Sequence, residues 1–482
     1  MQAPLRAAVT VCILLGVYTL GACSVGSPYR RPDIAPPAQW QESAPAGTPP
    51  AGTPTSAAPP TGAVASVWPA ADWWQGFGSS RLDDLIAAAE RSNDDLGAAV
   101  ARVQQADAQA RIAGAALLPS LALDASATRE RAPVTGVGPK VFNNFNPILS
   151  ASYELDFWGK NRAARDAARA LAVASRYDRQ TVALTVISSV ATTYFQALEL
   201  RDRIVVAEHN LANAQQLLQG FRAQQSAGTA TGLDVAQQET DVALLSAALP
   251  PLTEQFRQTV FALAVLVGTT PQSLEVERGS LTDLSIPGVA AGLPSQLLGR
   301  RPDVAEAEEQ LIAANADITV ARAALFPSIA LTASGGYESN ALASLVNPVS
   351  RVYAATAGLT QPIFAGGALR GELAYSKARY AELVAIYHKT VLTAFSNAES
   401  ALVAVRETAE QLKRQREAVA KARRAYEFAR AQLAAGTINV LTVLNTENAM
   451  FSAQDGLVQV EYSHLQALVD LYTALGGGWQ RG

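Results

Sequence analysis

Residues Glu372–Ala435 read ELAYSKARYAELVAIYHKTVLTAFSNAESALVAVRETAEQLKRQREAVAKARRAYEFARAQLAA, 64 residues without a glycine or proline, bounded by Gly371 and Gly436. Alanine, leucine, glutamate, arginine, lysine and glutamine dominate, and these side chains lose little freedom in a helix. In the second half the apolar positions Leu402, Val405, Ala409, Leu412, Val419, Ala422, Tyr426, Ala429 and Leu433 step by three and four, with Arg416 as the one gap. That period, kept over more than four heptads, is the period of a coiled coil. At 1.5 Å per residue the helix would be about 95 Å long, whereas an ordinary globular helix has about three turns. The stretch predicts an element that spans a distance.

A second such stretch runs from Lys160 to about Gln225, with Gly220 as its only breaker. A shorter helical pattern covers Leu233 to about Leu266, with a kink expected at Pro250-Pro251. Another runs from Leu82 to about Leu117 and stops at Pro119. The chain repeats itself at an offset of 208 residues. Ala324-Leu325-Phe326-Pro327-Ser328-Ile329-Ala330-Leu331 matches Ala116-Leu117-Leu118-Pro119-Ser120-Leu121-Ala122-Leu123, and Gly436-Thr437, Leu441, Val443 and Glu447 match Gly228-Thr229, Leu233, Val235 and Glu239. One offset holding over most of the chain argues for duplication of a helix, hairpin, long helix and helix unit.

Between the helical patterns the period changes to two. Leu121, Leu123, Ala125 and Ala127 alternate with Ser120, Asp124, Ser126 and Thr128; after a Gly/Pro/Asn loop expected at 133–147, Leu149, Ala151, Tyr153, Leu155 and Phe157 alternate with polar residues. In the second repeat Ile329, Leu331, Ala333 and Tyr337 form one such face, and Tyr353, Ala355, Ala357, Leu359 and Ile363 another. Four short amphipathic strands have the length of membrane-spanning strands, about 9–11 residues. A membrane sheet must close, and the smallest common barrel has about eight strands. Either the sheet is soluble, or several chains share one barrel.

The amino terminus reads as an export signal: Arg6, an apolar stretch from Ala7 to Leu20 too short to span a bilayer, then Leu20-Gly21-Ala22-Cys23. The tetrad is similar to the lipobox of bacterial lipoproteins, which implies a diacylated Cys23 as the mature terminus, and Ser24 after it implies sorting to the outer membrane. The expected organisation is a signal peptide at 1–22, an anchor and Pro/Ala-rich linker at 23–69, a first repeat at 70–280, a connection at 281–302, a second repeat at 303–476 and a tail at 477–482. A net charge of −4 gives no electrostatic case for nucleic acid. Both cysteines, Cys12 and Cys23, precede the body, and His209, His388 and His464 are far apart, so no metal centre is expected. Gly159-Lys160 lacks the glycine five residues earlier that a phosphate loop needs, and no serine sits in a nucleophile elbow. No catalytic residue is assigned.

Three segments carry a family resemblance: Tyr153-Glu154-Leu155-Asp156-Phe157-Trp158-Gly159-Lys160-Asn161-Arg162; Gly292-Leu293-Pro294-Ser295-Gln296-Leu297-Leu298 with Arg301-Pro302-Asp303 and 323–328; and Val25-Gly26 through Tyr29 to Pro32. The chain resembles the outer-membrane factor lipoproteins of tripartite efflux systems, the NodT-like branch of the TolC-like channels. The resemblance implies a mixed α and β fold and a homotrimer. Each chain would give four strands to a twelve-stranded outer-membrane barrel and long helices to a periplasmic α-barrel. It implies a periplasmic adaptor and an inner-membrane pump as partners, outer-membrane lipid around the barrel, and no cofactor beyond the lipid on Cys23. It also implies roles for the two helix-to-helix turns. Gly228, Thr229, Gly232, Leu233 and Asp234, with Gly436 and Thr437, would meet the adaptor. Leu441 and Asn445 would form the periplasmic gate, although the family has an aspartate where this chain has Asn445. The competing reading is a periplasmic coiled-coil scaffold lipoprotein that transports nothing.

Overall fold

The computed structural model describes residues 25–41, 68–136, 138–276, 279–289, 292 and 294–481. Cys12, Cys23 and the export segment lie outside the described residues, as does the middle of the Pro/Ala-rich linker. The chain divides into two compact units, one built on Ala101–Arg176 and Glu306–His388, the other on Ile34–Val100, Tyr177–Ala305 and Lys389–Gly482.

The first unit holds a four-stranded antiparallel sheet of β1 (Ser120–Val134), β2 (Gly138–Leu155), β3 (Ser328–Tyr337) and β4 (Arg351–Thr360) in that spatial order. Its register gathers the apolar positions. Leu121 faces Ala151, Leu123 faces Leu149, Tyr153 faces Leu331, and Leu331 in turn faces Ala357. Directly paired residues share a face, so one side of the sheet is apolar across all four strands. Among the described residues nothing covers it: Leu121, Leu123 and Leu359 are each about two-thirds exposed and Tyr353 is 91% exposed. The small cross-strand pair Ser120 and Ser152 instead joins the polar positions, hydroxyl to hydroxyl at 2.8 Å.

Two strand expectations need correction. The loop at 133–147 is mostly strand: β1 and β2 stay paired out to Val134 and Gly138, and the chain reverses at Gly136 and Gly138, both at left-handed φ. Prolines misled the reading. Pro139 lies where β2 has a partner strand on one side only, and a missing N–H is tolerated on an open edge, whereas Pro147 lies between Ile148, where pairing with β3 begins, and the Phe145–Ser339 bridge, and the ladder is interrupted there. Ile363 is not part of β4, which ends at Thr360 ahead of Pro362; it stands 90% exposed beyond the strand.

Besides a single turn at Pro294–Leu297, the described helices are α1 (Ser80–Ser92), α2 (Asp94–Ala115), α3 (Lys160–Ser226), α4 (Gly232–Leu266), α5 (Pro302–Ala323), α6 (Ala368–Ala434) and α7 (Val440–Ala474). Both α3 and α6 have 67 residues, and both α4 and α7 have 35, as a duplication requires. Helix α6 begins ahead of Gly371, which is helical; the break is at Gly366 and Gly367, both left-handed. Helix α4 runs on through Pro250 and Pro251. The single helix expected from Leu82 is two, divided at Asn93. Its backbone is extended, its side-chain oxygen accepts the amide of Leu96 at 3.0 Å, and its amide group donates to the Leu266 carbonyl at 2.8 Å. An asparagine that caps α2 and ties it to α4 outweighs the helical pattern around it.

The core of the second unit gathers α1, α3, α4 and α7 around the aromatic segment before α1. Phe77, Leu82, Ile86, Phe195, Leu198 and Leu263 are almost wholly buried, Phe77 meets Phe195 edge-on at 5.0 Å, and Trp73 stacks on Tyr472 at 4.8 Å. Each such side chain contributes about 1.5–3 kcal/mol by leaving water. Helix α3 is long and apolar enough to cross a membrane, yet its Val186, Val190, Tyr194 and Phe195 belong to this core.

The described ends of the expected linker are docked. In the first unit the carbonyls of Val25 and Ser27 accept from Arg322 and Asn315 of α5, and Arg31 donates to the Tyr387 hydroxyl at 2.9 Å. In the second, Trp40 is buried and donates to the Gly292 carbonyl at 2.9 Å.

Candidate gate and docking tips

The turns after α3 and α6 are built alike. Gly228 and Gly436 both adopt left-handed φ, 77° and 70°. A Cβ on either would meet nothing within 4 Å, so only the backbone angle requires glycine there. In the first turn the Gly228 amide donates to the Gln225 carbonyl and the Thr229 amide and hydroxyl both donate to Gln224. In the second, Gly436 donates to Leu433, and Thr437 repeats the double donation to Gln432. These bonds satisfy the last carbonyls of each long helix.

The next helices begin with caps that the sequence reading missed. The Thr231 hydroxyl accepts the Asp234 amide, and the Asp234 carboxylate accepts the Thr231 amide at 2.8 Å, a reciprocal capping box. The threonine and aspartate three apart, ahead of a helical run, were the available signal. Asp234 also accepts the Thr231 hydroxyl, and these bonds hold its carboxyl below the usual range. Its first role is therefore to start α4. In the second repeat Asn439 accepts the Thr442 amide at 3.1 Å.

Leu233 and Leu441 stand at matching places in the first turns of α4 and α7, 67% and 51% exposed. Asn445, four residues after Leu441 and on the same helical face, is exposed too. Gly232 opens α4. The structure thus brings Leu441 and Asn445 together on an uncovered face and gathers Gly228, Thr229, Gly232, Leu233 and Asp234 in one turn.

The α6 heptad reading holds where it meets α7. Tyr426 and Ala429 are buried with Val443, Met450 and Phe451. Beside them lies a group that periodicity did not reveal. Glu447 is fully buried and accepts the Tyr426 hydroxyl at 3.3 Å. Burial first, and then the charge of Asp241, push its carboxyl up to about 7. Asp241 of α4, itself buried and raised by burial, accepts from Asn448 of α7. Tyr426 is pushed up to about 12 by burial and by Glu447, while Arg430 lies over its ring at 5.8 Å.

Elsewhere the sequence motifs serve the framework. Asp156 accepts the amides of Asn161 and Arg162 at 3.0 and 2.9 Å, starting α3, and Trp158 stacks on Phe326 while donating to the Pro327 carbonyl. Arg301 grips Asp303 through two nitrogens and the Ala474 carbonyl through a third. His464 meets the Thr408 hydroxyl and His209 the Asn213 amide.

The profile of the family described as outer membrane efflux protein matches residues 85–269 and 293–477. The pyoverdine export outer membrane protein OpmQ of Pseudomonas putida is 40% identical over 479 residues, covering 98% of this chain and 97% of its own. Its counterpart in Pseudomonas aeruginosa is 41% identical over 481 residues, covering 98% and 96%. Among solved structures, the outer-membrane channel OprN superposes with a TM-score of 0.85 at 27% identity, covering 95% of this chain and all of that one.

Proposed function

The chain belongs to the outer membrane efflux protein family, and from that premise we propose how it serves as the exit channel of a tripartite efflux pump in the outer membrane. The observation that carries the reading is the sheet. Four strands present one uncovered apolar face, and β1 and β4 end the sheet as edges. Unpaired strand edges are too costly in lipid, and four strands are too few to close. Three copies, β4 of each beside β1 of the next, close a twelve-stranded barrel with the apolar face toward lipid. The long helices of the three chains then wall a periplasmic tunnel, and the adaptor docks on Gly228, Thr229, Gly232, Leu233 and Asp234 with Gly436 and Thr437. Leu441 forms an apolar constriction that excludes water and ions by dewetting, and Asn445 beside it gives a neutral ring instead of an acidic one. Cys23 carries the lipid that anchors the chain.

Transport through such a duct is passive, with the inner-membrane pump supplying energy through the adaptor. The cargo we favour is a siderophore of the pyoverdine kind, because the two relatives at 40% and 41% identity are named for that export. Drugs and other small toxic compounds are the second cargo class, as the efflux family name indicates. A deletion strain grown without iron should retain its chelator in the periplasm and regain secretion with the gene restored. Unchanged secretion together with lost drug tolerance would point to the second class. The mass of the purified protein in detergent tests the assembly: a trimer is expected, and a monomer contradicts it.

A further inference from the structure

One buried cluster in the second unit joins the two helical hairpins, α3–α4 and α6–α7. Glu447 on α7 takes the hydroxyl of Tyr426 from α6, and Asp241 on α4 takes a bond from Asn448 on α7. Both carboxylates are more than nine-tenths buried, and each keeps one oxygen, Glu447 Oε2 and Asp241 Oδ2, without a hydrogen-bond partner. The titratable and charged groups acting on Glu447 are Asp241 from α4 and Tyr426 and Arg430 from α6. Helix α3 packs beside Tyr426 through Leu217, its Ala214 carbonyl accepts from Gln238 of α4, and its Arg222 is engaged with Glu239. Two like charges buried on facing helices repel, and a carboxylate oxygen with no donor is costly to ionise. Protonating Glu447 removes one of the two charges and turns an acceptor without a partner into a donor.

We propose that Glu447 is a protonation site that latches the α3–α4 hairpin to the α6–α7 hairpin, packed when its carboxyl holds a proton and loosened when the proton leaves to water. The proposal rests on the exit-channel reading, because the constriction residue Leu441 lies six residues before Glu447 on the same α7 and moves with that helix when the hairpins part. Its direction follows from the raised value of about 7. Packing is favoured fully at acid pH, the advantage falls as pH rises through that value, and it is flat above. Each pH unit in the window shifts the ratio of packed to loosened tips by up to tenfold for one linked proton. The channel is therefore a valve that acid tightens.

The test is single-channel conductance of purified protein in planar bilayers from pH 5 to pH 8, for wild type, E447Q, D241N and L441A. The glutamine and asparagine variants keep size and hydrogen-bonding groups, and elution as the same oligomer verifies folding. Wild-type conductance should rise with pH, E447Q should stay low throughout, and D241N should shift the rise to lower pH because the like charge is gone. L441A should conduct at every pH. An E447Q channel with the wild-type pH response, or a flat wild type beside a conducting L441A, overturns the latch and leaves the channel intact. Silence from all four proteins overturns both.

Discussion

Glu239 and Glu447 occupy opposite sides of the solvent boundary although each stands at the same distance beyond its own turn glycine. Glu239 is exposed and pairs with Arg222 at 2.7 Å, whereas Glu447 is fully buried and bonded by Tyr426. Arg430, which corresponds to Arg222, lies over the Tyr426 ring. The two halves of the tip are therefore alike in backbone and unlike in charge burial. Removing a surface ion pair costs about 0–1 kcal/mol, so Glu239→Gln should leave the melting temperature nearly unchanged, while substitutions around Glu447 should move it.

Tyr426→Phe removes the donor that favours the ionised form of Glu447 and leaves that carboxylate with one fewer partner. The expected cost is about 1–3 kcal/mol, read as a lower melting temperature at pH 8. At pH 5 the loss should be smaller, because a protonated Glu447 needs the donor less. An equal loss at both pH values would show that the hydroxyl does not act through the carboxylate.

The left-handed glycines give a second comparison. Gly228→Ala and Gly436→Ala place a Cβ where nothing crowds it but where φ is 77° and 70°. Each should cost about 1–2 kcal/mol, and the costs should be similar. Denaturant titration of the two variants measures this, and a cost confined to one turn would mean that the turns are not equivalent.

Thr231→Ala breaks the capping box that begins α4 and should cost about 1 kcal/mol. It also frees Asp234, whose carboxyl should return toward the ordinary range, since the bonds from Thr231 hold it down. Chemical-shift titration of Asp234 in the variant reports the return; an unmoved titration would contradict the assignment.

At the gate, Leu441→Ala should make the channel leakier to bulky drugs, and Asn445→Asp should add an acidic ring that multivalent cations block. Drug susceptibility of the expressing strain and cation block of purified channels measure the two effects. Unchanged permeability in the first variant would remove Leu441 from the gate.

Much of the framework could be read from residues. Long runs with few or no backbone breakers placed α3 and α6 to within a few residues, because backbone breakers act locally. Alternation at Leu121–Ala127 and Leu149–Leu155 placed the two faces of the hairpin, because the strand period is local as well. The reading failed where a distant partner decides. Asn93 splits a helix by reaching the Leu266 carbonyl, and Pro139 sits in a strand because β3 pairs only farther along. The turns were legible from Gly228 and Gly436, but the acid cluster was not: Asp241, Tyr426 and Glu447 come from three helices, and no single-helix pattern marks them.

As an exit channel, the protein must make a hole through a membrane. Purified wild-type protein added to a planar lipid bilayer at pH 8 tests it directly. Discrete conductance steps from a trimer are expected. A folded protein that binds membranes yet opens no conducting steps, at any voltage tried and with Leu441 replaced by alanine, would contradict it and favour a periplasmic scaffold.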